Sequence, residues 1–224
     1  MGNLRRLIVF DLDGTLIDSR RDLADSANEL IRELGGTQLS EAAIAAMVGD
    51  GAAALVRRAL AAAGVPQTPS ALPRFLDIYD SRLLNHTRAY DGIPEAVRAA
   101  RRPHVPFAVL TNKPAGPSER ILIGLGLRDL FDEVIGGDGP NPRKPDPASL
   151  LQLIDRANAT PANTLIVGDS AIDHETARRA SARCCLATYG FGYTNFPADR
   201  LCGDEWFAAN ADELEQVLRT FAAG

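Results

Sequence analysis

Asp11 and Asp13 stand two residues apart behind an apolar run, Leu7-Ile8-Val9-Phe10, in the stretch Asp11-Leu12-Asp13-Gly14-Thr15-Leu16-Ile17-Asp18-Ser19. Side chains two apart in extended chain point to the same side, so both carboxylates converge on one place. Carboxylates that close repel each other, and a bound divalent cation is the usual remedy. A strand that merely ends in an Asp-Gly turn would show the same two residues, and at this point both readings stand. Three further places set polar groups behind apolar runs or in a distinctive loop. Thr111-Asn112 follows Phe107-Ala108-Val109-Leu110, and Gly168-Asp169-Ser170 follows Thr164-Leu165-Ile166-Val167, with Asp173 just beyond; Lys144 sits in Arg143-Lys144-Pro145-Asp146-Pro147. Singly, each has an ordinary reading as turn, helix cap, dipole partner or solvated lysine. Together they supply carboxylates, a hydroxyl and an ammonium, and the carboxylate-rich, all-oxygen donor set suits Mg2+.

For these groups to meet, the intervening elements must bring distant strand ends to one rim. Residues 20–34 repeat apolar positions at Leu23, Ala27, Leu30, Ile31 and Leu34, one face of a helix closed by Gly35-Gly36. Ser40-Glu41 opens a second helix to about Val48; Gly49-Asp50-Gly51 interrupts; an alanine-rich helix covers 52–63 and another roughly 70–85. Residues 17–87 thus show no strand, which reads as an all-helical block inserted after the first strand. Strand–helix alternation then resumes, with strands expected at 106–110, 132–135, 164–167 and 183–188, irregular chain at 190–203 and a terminal helix at 212–221. Repeated β-α units joined right-handedly give a doubly wound parallel α/β sheet, a Rossmann-like core with helices on both faces. The ligand crevice of such a sheet lies beyond the carboxyl ends of its strands, where Asp11, Thr111 and Asp169 fall. The expected division is a core of residues 1–16 and 88–224 with a helical cap of 17–87.

The chain of 224 residues has 46% hydrophobic and 24% charged residues, ordinary for a globular protein. A net charge of −5 gives no basic footprint for nucleic acid, and no apolar run approaches a membrane span. Neither kind of partner is expected. Three cysteines make no disulfide framework and read as thiols of a reducing cytoplasm; without CxxC spacing or a nearby histidine, no metal role is expected of them.

The ordered set of motifs resembles the haloacid dehalogenase-like phosphohydrolases, whose first motif is DxDGT. The second motif is similar to Leu110-Thr111-Asn112, the third to Lys144-Pro145 and the fourth to Gly168-Asp169-Ser170 with Asp173. Val48-Gly49-Asp50-Gly51, Thr111-Asn112-Lys113-Pro114 and Ile135-Gly136-Gly137-Asp138 resemble the phosphoglycolate phosphatase subgroup. The resemblance implies Asp11 as nucleophile forming an aspartyl-phosphate and Asp13 as general acid and base. It implies Mg2+ held by Asp11, the backbone carbonyl of Asp13 and Asp169, with Asp173 in support. Thr111, Asn112 and Lys144 would hold the phosphoryl oxygens, and Gly49, Asp50 and Gly51 would form the cap's specificity loop. The implied substrate is a small phosphomonoester, 2-phosphoglycolate first, handled by a monomer or homodimer. Sugar phosphomutases of the same superfamily carry a cap histidine where Leu23 stands, and the dehalogenases lack the second aspartate. A non-catalytic phosphoacceptor or binding module would have no reason to keep Asp13 and a helical cap.

Overall fold

A computed structural model of the chain describes residues 5–223; the ends of the expected core segments at 1–4 and 224 lie outside them. The run that reads as a buried strand is β1 (Arg5–Phe10), with Leu7 to Phe10 fully covered. Its alternate residues enter different layers: Ile8 and Phe10 pack with Phe107, Val109, Leu165 and Val167, while Leu7 and Val9 pack with Ala108, Leu110, Ile166 and Leu186. Burial on both faces is why the strand carries no polar alternation.

After β1 the chain makes β2 (Ile17–Asp18), then α1 (Arg20–Glu33), α2 (Glu41–Ala45), α3 (Ala52–Ala62) and α4 (Ala71–Asp80). It returns through β3 (Arg88–Ala89) to α5 (Ile93–Ala100), β4 (Phe107–Leu110), α6 (Ala115–Gly124), β5 (Glu133–Ile135), α7 (Ala148–Arg156), β6 (Ala159–Gly168), α8 (Ala171–Ala180), β7 (Arg183–Ala187), β8 (Trp206–Ala208) and α9 (Ala211–Ala223). The sheet order is β5-β4-β1-β6-β7-β8, and every pairing in it is parallel. β1 lies between β4 and β6, with Phe10 in register with both Val109 and Val167. That register brings Asp11, Thr111 and Asp169 to one rim. Apolar residues of α5 and α9 cover one face of the sheet, and those of α7 and α8 the other.

Three points differ from expectation. Residues 17–87 are not free of strand: Ile17 pairs with Ala89 and Asp18 with Arg88, so both crossings between the helical block and the sheet run side by side as an antiparallel ribbon. Two residues per strand are too few to show a period-two pattern. β8 is also unforeseen, because Trp206-Phe207-Ala208 is a three-residue edge strand. The fourth helix stops at Asp80, short of the expected 85, and turns carry the chain to Thr87. Asp22, fully buried on α1, holds that return: its carboxylate accepts the His86 and Thr87 backbone N–H groups at 3.0 and 2.8 Å and the Thr87 hydroxyl at 2.8 Å. Apolar packing continues from the sheet into the helical block through Leu23, Ile31, Leu55 and Phe75.

Candidate active site

The rim residues line a cleft of about 60 Å3 between the sheet and the helical block. Asp11, Asp13, Thr111, Asn112, Asp169, Gly49 and Gly51 line it; Lys144 and Asp173 stand behind it, buried. Asp50 does not line it and instead meets Arg58, whose guanidinium bonds the Asp50 carboxylate at 2.5 Å and the Met47 carbonyl at 3.0 Å. Arg58 thereby pins the loop from the outside.

The charges form two groups, one around each lysine. Lys144 Nζ lies 2.9 Å from Asp11 Oδ1 and 2.6 Å from Asp173 Oδ1. Lys113 Nζ donates to both oxygens of Asp13, at 2.9 and 2.8 Å, and the Ser19 hydroxyl donates to Asp13 Oδ1 at 2.5 Å. Burial penalises each ammonium, yet Asp13 for Lys113, and Asp11 with Asp173 for Lys144, outweigh that penalty and hold both above the ordinary lysine value. The aspartates without enough compensation are raised as well, which for a carboxylate disfavours the charged form. Burial pushes Asp11 up to about 7, with Lys144 opposing the shift and Asp173 adding to it. Asp169 is raised well above its ordinary value by burial and by the charges of Asp173 and Asp11, although it accepts the Gly192 N–H at 2.7 Å.

Asp11, Asp169 and Asp173 can each place an oxygen within 4.8 Å of the others. Four carboxylates here face two ammonium groups, so negative charge is left over. Asp11 Oδ1, though close to Lys144, accepts no hydrogen bond of acceptable direction and is buried. A buried, under-satisfied carboxylate beside two others is what a divalent cation with oxygen ligands would relieve, so the donor set fits such an ion. Gly14 makes room for this arrangement: at φ +88° it approaches so closely that a Cβ there would lie 1.9 Å from Asp169 Oδ2.

The Asn112 side-chain amide is engaged within the fold: its Nδ2 donates to the Gly49 and Lys144 carbonyls, both at 2.9 Å, and ties those loops together. Thr111 is buried, its hydroxyl accepting the Lys113 N–H at 3.2 Å. Lys113 lies within the motif at a bend just past β4, where its N–H turns back onto the Thr111 hydroxyl, and no spacing in the sequence marks its ammonium for Asp13. Tyr79 was not visible in the sequence as a site residue. Its ring lies 4.8 Å from Lys113 Nζ, and burial pushes its hydroxyl up to about 12. Leu23, Leu55, Phe75 and Phe191 supply the apolar part of the wall.

The haloacid dehalogenase-like hydrolase family model matches residues 8–187. A phosphoglycolate phosphatase of Pseudomonas putida is 40% identical over 200 residues, covering 86% of this chain and 72% of that protein. One from Cereibacter sphaeroides is 38% identical over 225 residues, covering 96% of this chain and 99% of its own length. Among solved structures, a predicted phosphoglycolate phosphatase from Haemophilus somnus superposes with a TM-score of 0.87 at 30% identity, covering 97% of this chain and 99% of that one.

Proposed function

The chain belongs to the haloacid dehalogenase-like hydrolases and is a phosphatase of that family; from that premise we propose that it hydrolyses 2-phosphoglycolate or a similarly small phosphomonoester, with Mg2+ and a phosphorylated Asp11. The observation that carries this reading is the separation of two carboxylates at one rim, Asp11 against Lys144 and Asp13 against Lys113 and Ser19. Asp11 attacks phosphorus; the P–O bond to the leaving group breaks, and that oxygen takes a proton from Asp13. Asp13 then takes a proton from the incoming water, whose oxygen displaces the Asp11 carboxylate from phosphorus. Lys144 offsets the charge of Asp11 during approach, and Thr111 offers its hydroxyl to a phosphoryl oxygen. Lys113 and Ser19 fix the Asp13 carboxylate while it exchanges protons.

Asp11, Asp169 and the Asp13 backbone carbonyl would hold the cation, with Asp173 supporting them through Lys144. When bound, it supplies positive charge that keeps Asp11 ionised and offsets the charge of the phosphate. Residues 17–87 act as the cap, with Gly49-Asp50-Gly51 as its loop over the leaving group. The small cavity and this loop support a small leaving group. Leu23, buried in the cavity wall, has no proton to exchange, which supports a phosphatase over a phosphomutase.

The test is phosphate release from 2-phosphoglycolate, hexose phosphates and a phosphopeptide with Mg2+, compared as kcat/KM. Highest kcat/KM for 2-phosphoglycolate, with radiolabelled phosphate trapped on wild-type protein and not on Asp11→Asn, is the expected result. A phosphopeptide turned over as well as 2-phosphoglycolate overturns the cap assignment. Efficient isomerisation of hexose 1-phosphate overturns the choice against a mutase.

A further inference from the structure

Away from the catalytic rim, between α8 and the loop leading into β8, lies a second cavity, of about 330 Å3. His174, Cys202 and Glu205 line it, and one donor atom of each lies within 4.8 Å of the others. His174 is only 1% exposed on α8, and the Glu205 side chain is 2% exposed, while Cys202 is a free, exposed thiol. His174 Nε2 and Glu205 Oε1 are 2.6 Å apart, and His174 Nδ1 is buried with no partner. That contact is a hydrogen bond that shares one proton, and two donors on one zinc ion at about 2.0–2.1 Å would stand about 3.3 Å apart, so a metal would take the proton's place only as the pair parts slightly.

The loop is built to present its donors together. Glu205 Oε1 accepts the Cys202 N–H at 2.8 Å and Oε2 the Gly203 N–H at 2.8 Å, which folds thiol and carboxylate toward the same side of α8. In sequence, Cys202 lies 28 positions after His174, so no spacing motif announces the cluster. Arg178, one helical turn after His174, donates to Cys202 Sγ. A metal-bound sulfur can keep such a contact as an outer hydrogen bond.

We propose that His174, Cys202 and Glu205 form a zinc site, distinct from the carboxylate cluster at the rim. Imidazole, thiolate and carboxylate are the donor types zinc takes, and three protein ligands leave its fourth position open to solvent at exposed Cys202. The nitrogen and sulfur donors set this site apart from the all-oxygen cluster, so zinc and magnesium sort between the two. On binding, the His174 and Glu205 side chains part, the ion takes the place of the proton they share, and that proton and the Cys202 thiol proton leave to solvent. It thereby clips the loop before β8 to α8. That loop begins at the catalytic wall, with Phe191 and Gly192, and α8 carries Asp173.

The test uses the full chain, stripped of metal and then given Zn2+ in the presence of excess Mg2+. One zinc retained per chain and a raised Tm are expected. Co2+ in place of Zn2+ should give a near-ultraviolet thiolate-to-metal charge-transfer band. Cys202→Ala, at an exposed position, should abolish the band and weaken zinc at least about tenfold, while Cys184→Ser, in the wall of the same cavity, should change neither. No band in wild-type protein, a band that survives Cys202→Ala, or equal zinc affinity in the two proteins overturns the proposal.

Discussion

The carboxylates of Asp11 and Asp13 start from one strand end and meet different ammonium groups, Lys144 and Lys113. Asp11→Asn should lower kcat at least about a thousandfold, since an amide is a poor nucleophile; activity within tenfold of wild type would remove Asp11 from its role. Lys113→Met leaves the Asp13 carboxylate in its buried place without its ion partner. Breaking a buried pair by removing one member costs roughly 3–5 kcal/mol, so urea unfolding should show a loss of that order, together with a fall in kcat. A stability change under about 1 kcal/mol would mean that the pair behaves as a surface one. At this scale the sequence announced residues that sit at strand ends: Asp11, Asp13, Thr111 and Asp169. It did not announce commitments made across the fold. Asn112 spends its amide on Gly49 and Lys144, and Asp22 on residues 86 and 87, because those partners lie far away in the chain.

Among the elements, the loop before α3 and the start of β4 offer separate tests. Gly51 has φ +86°, and a Cβ there would stand 3.0 Å from the Asn112 carbonyl. Gly51→Val imposes about 1–3 kcal/mol of backbone strain where cap and rim touch. kcat/KM should therefore fall about tenfold or more while Mg2+ affinity is nearly kept; an unchanged kcat/KM would free the loop of any part in selection. At β4, Asp132 accepts the Phe107 N–H and the Arg101 guanidinium, at 2.8 and 2.7 Å. Arg101 first, and the Phe107 amide with it, hold the Asp132 carboxyl below its ordinary value of 3.8. A group lowered by folding stabilises above its unfolded pKa and loses that contribution as pH falls through the folded one. The stability difference between wild type and Asp132→Asn should be constant above about pH 5 and shrink below about pH 4; a gap that widens in acid would reverse the assignment. Long elements were legible because burial stamped them: β1, β4 and β6 as apolar runs, α1 and α9 as one-sided helices. The β2–β3 ribbon and β8 were not, since segments of two and three residues carry no period and owe their state to the neighbour they pair with.

The whole molecule joins a carboxylate-rich rim to a block of helices. Chelation should abolish phosphatase activity, Mg2+ should restore it, and Ca2+, with its larger and looser shell, should not; turnover undiminished in chelator would refute the site as assigned. The placing of β1 has another consequence, in time. Ile8 pairs with Phe107 on one side and Leu165 on the other, so a strand made early waits for partners made much later. At about 5–20 residues per second of synthesis, some 160 residues separate β1 from its β6 partner, a wait of roughly 8–30 s. Until β4 is made Leu-Ile-Val-Phe is an apolar strand without neighbours, and until β6 is made it keeps one open edge, the kind of segment that pairs with other chains. The strand that delivers Asp11 to the rim is therefore also one whose edge stays open longest while the chain is being made.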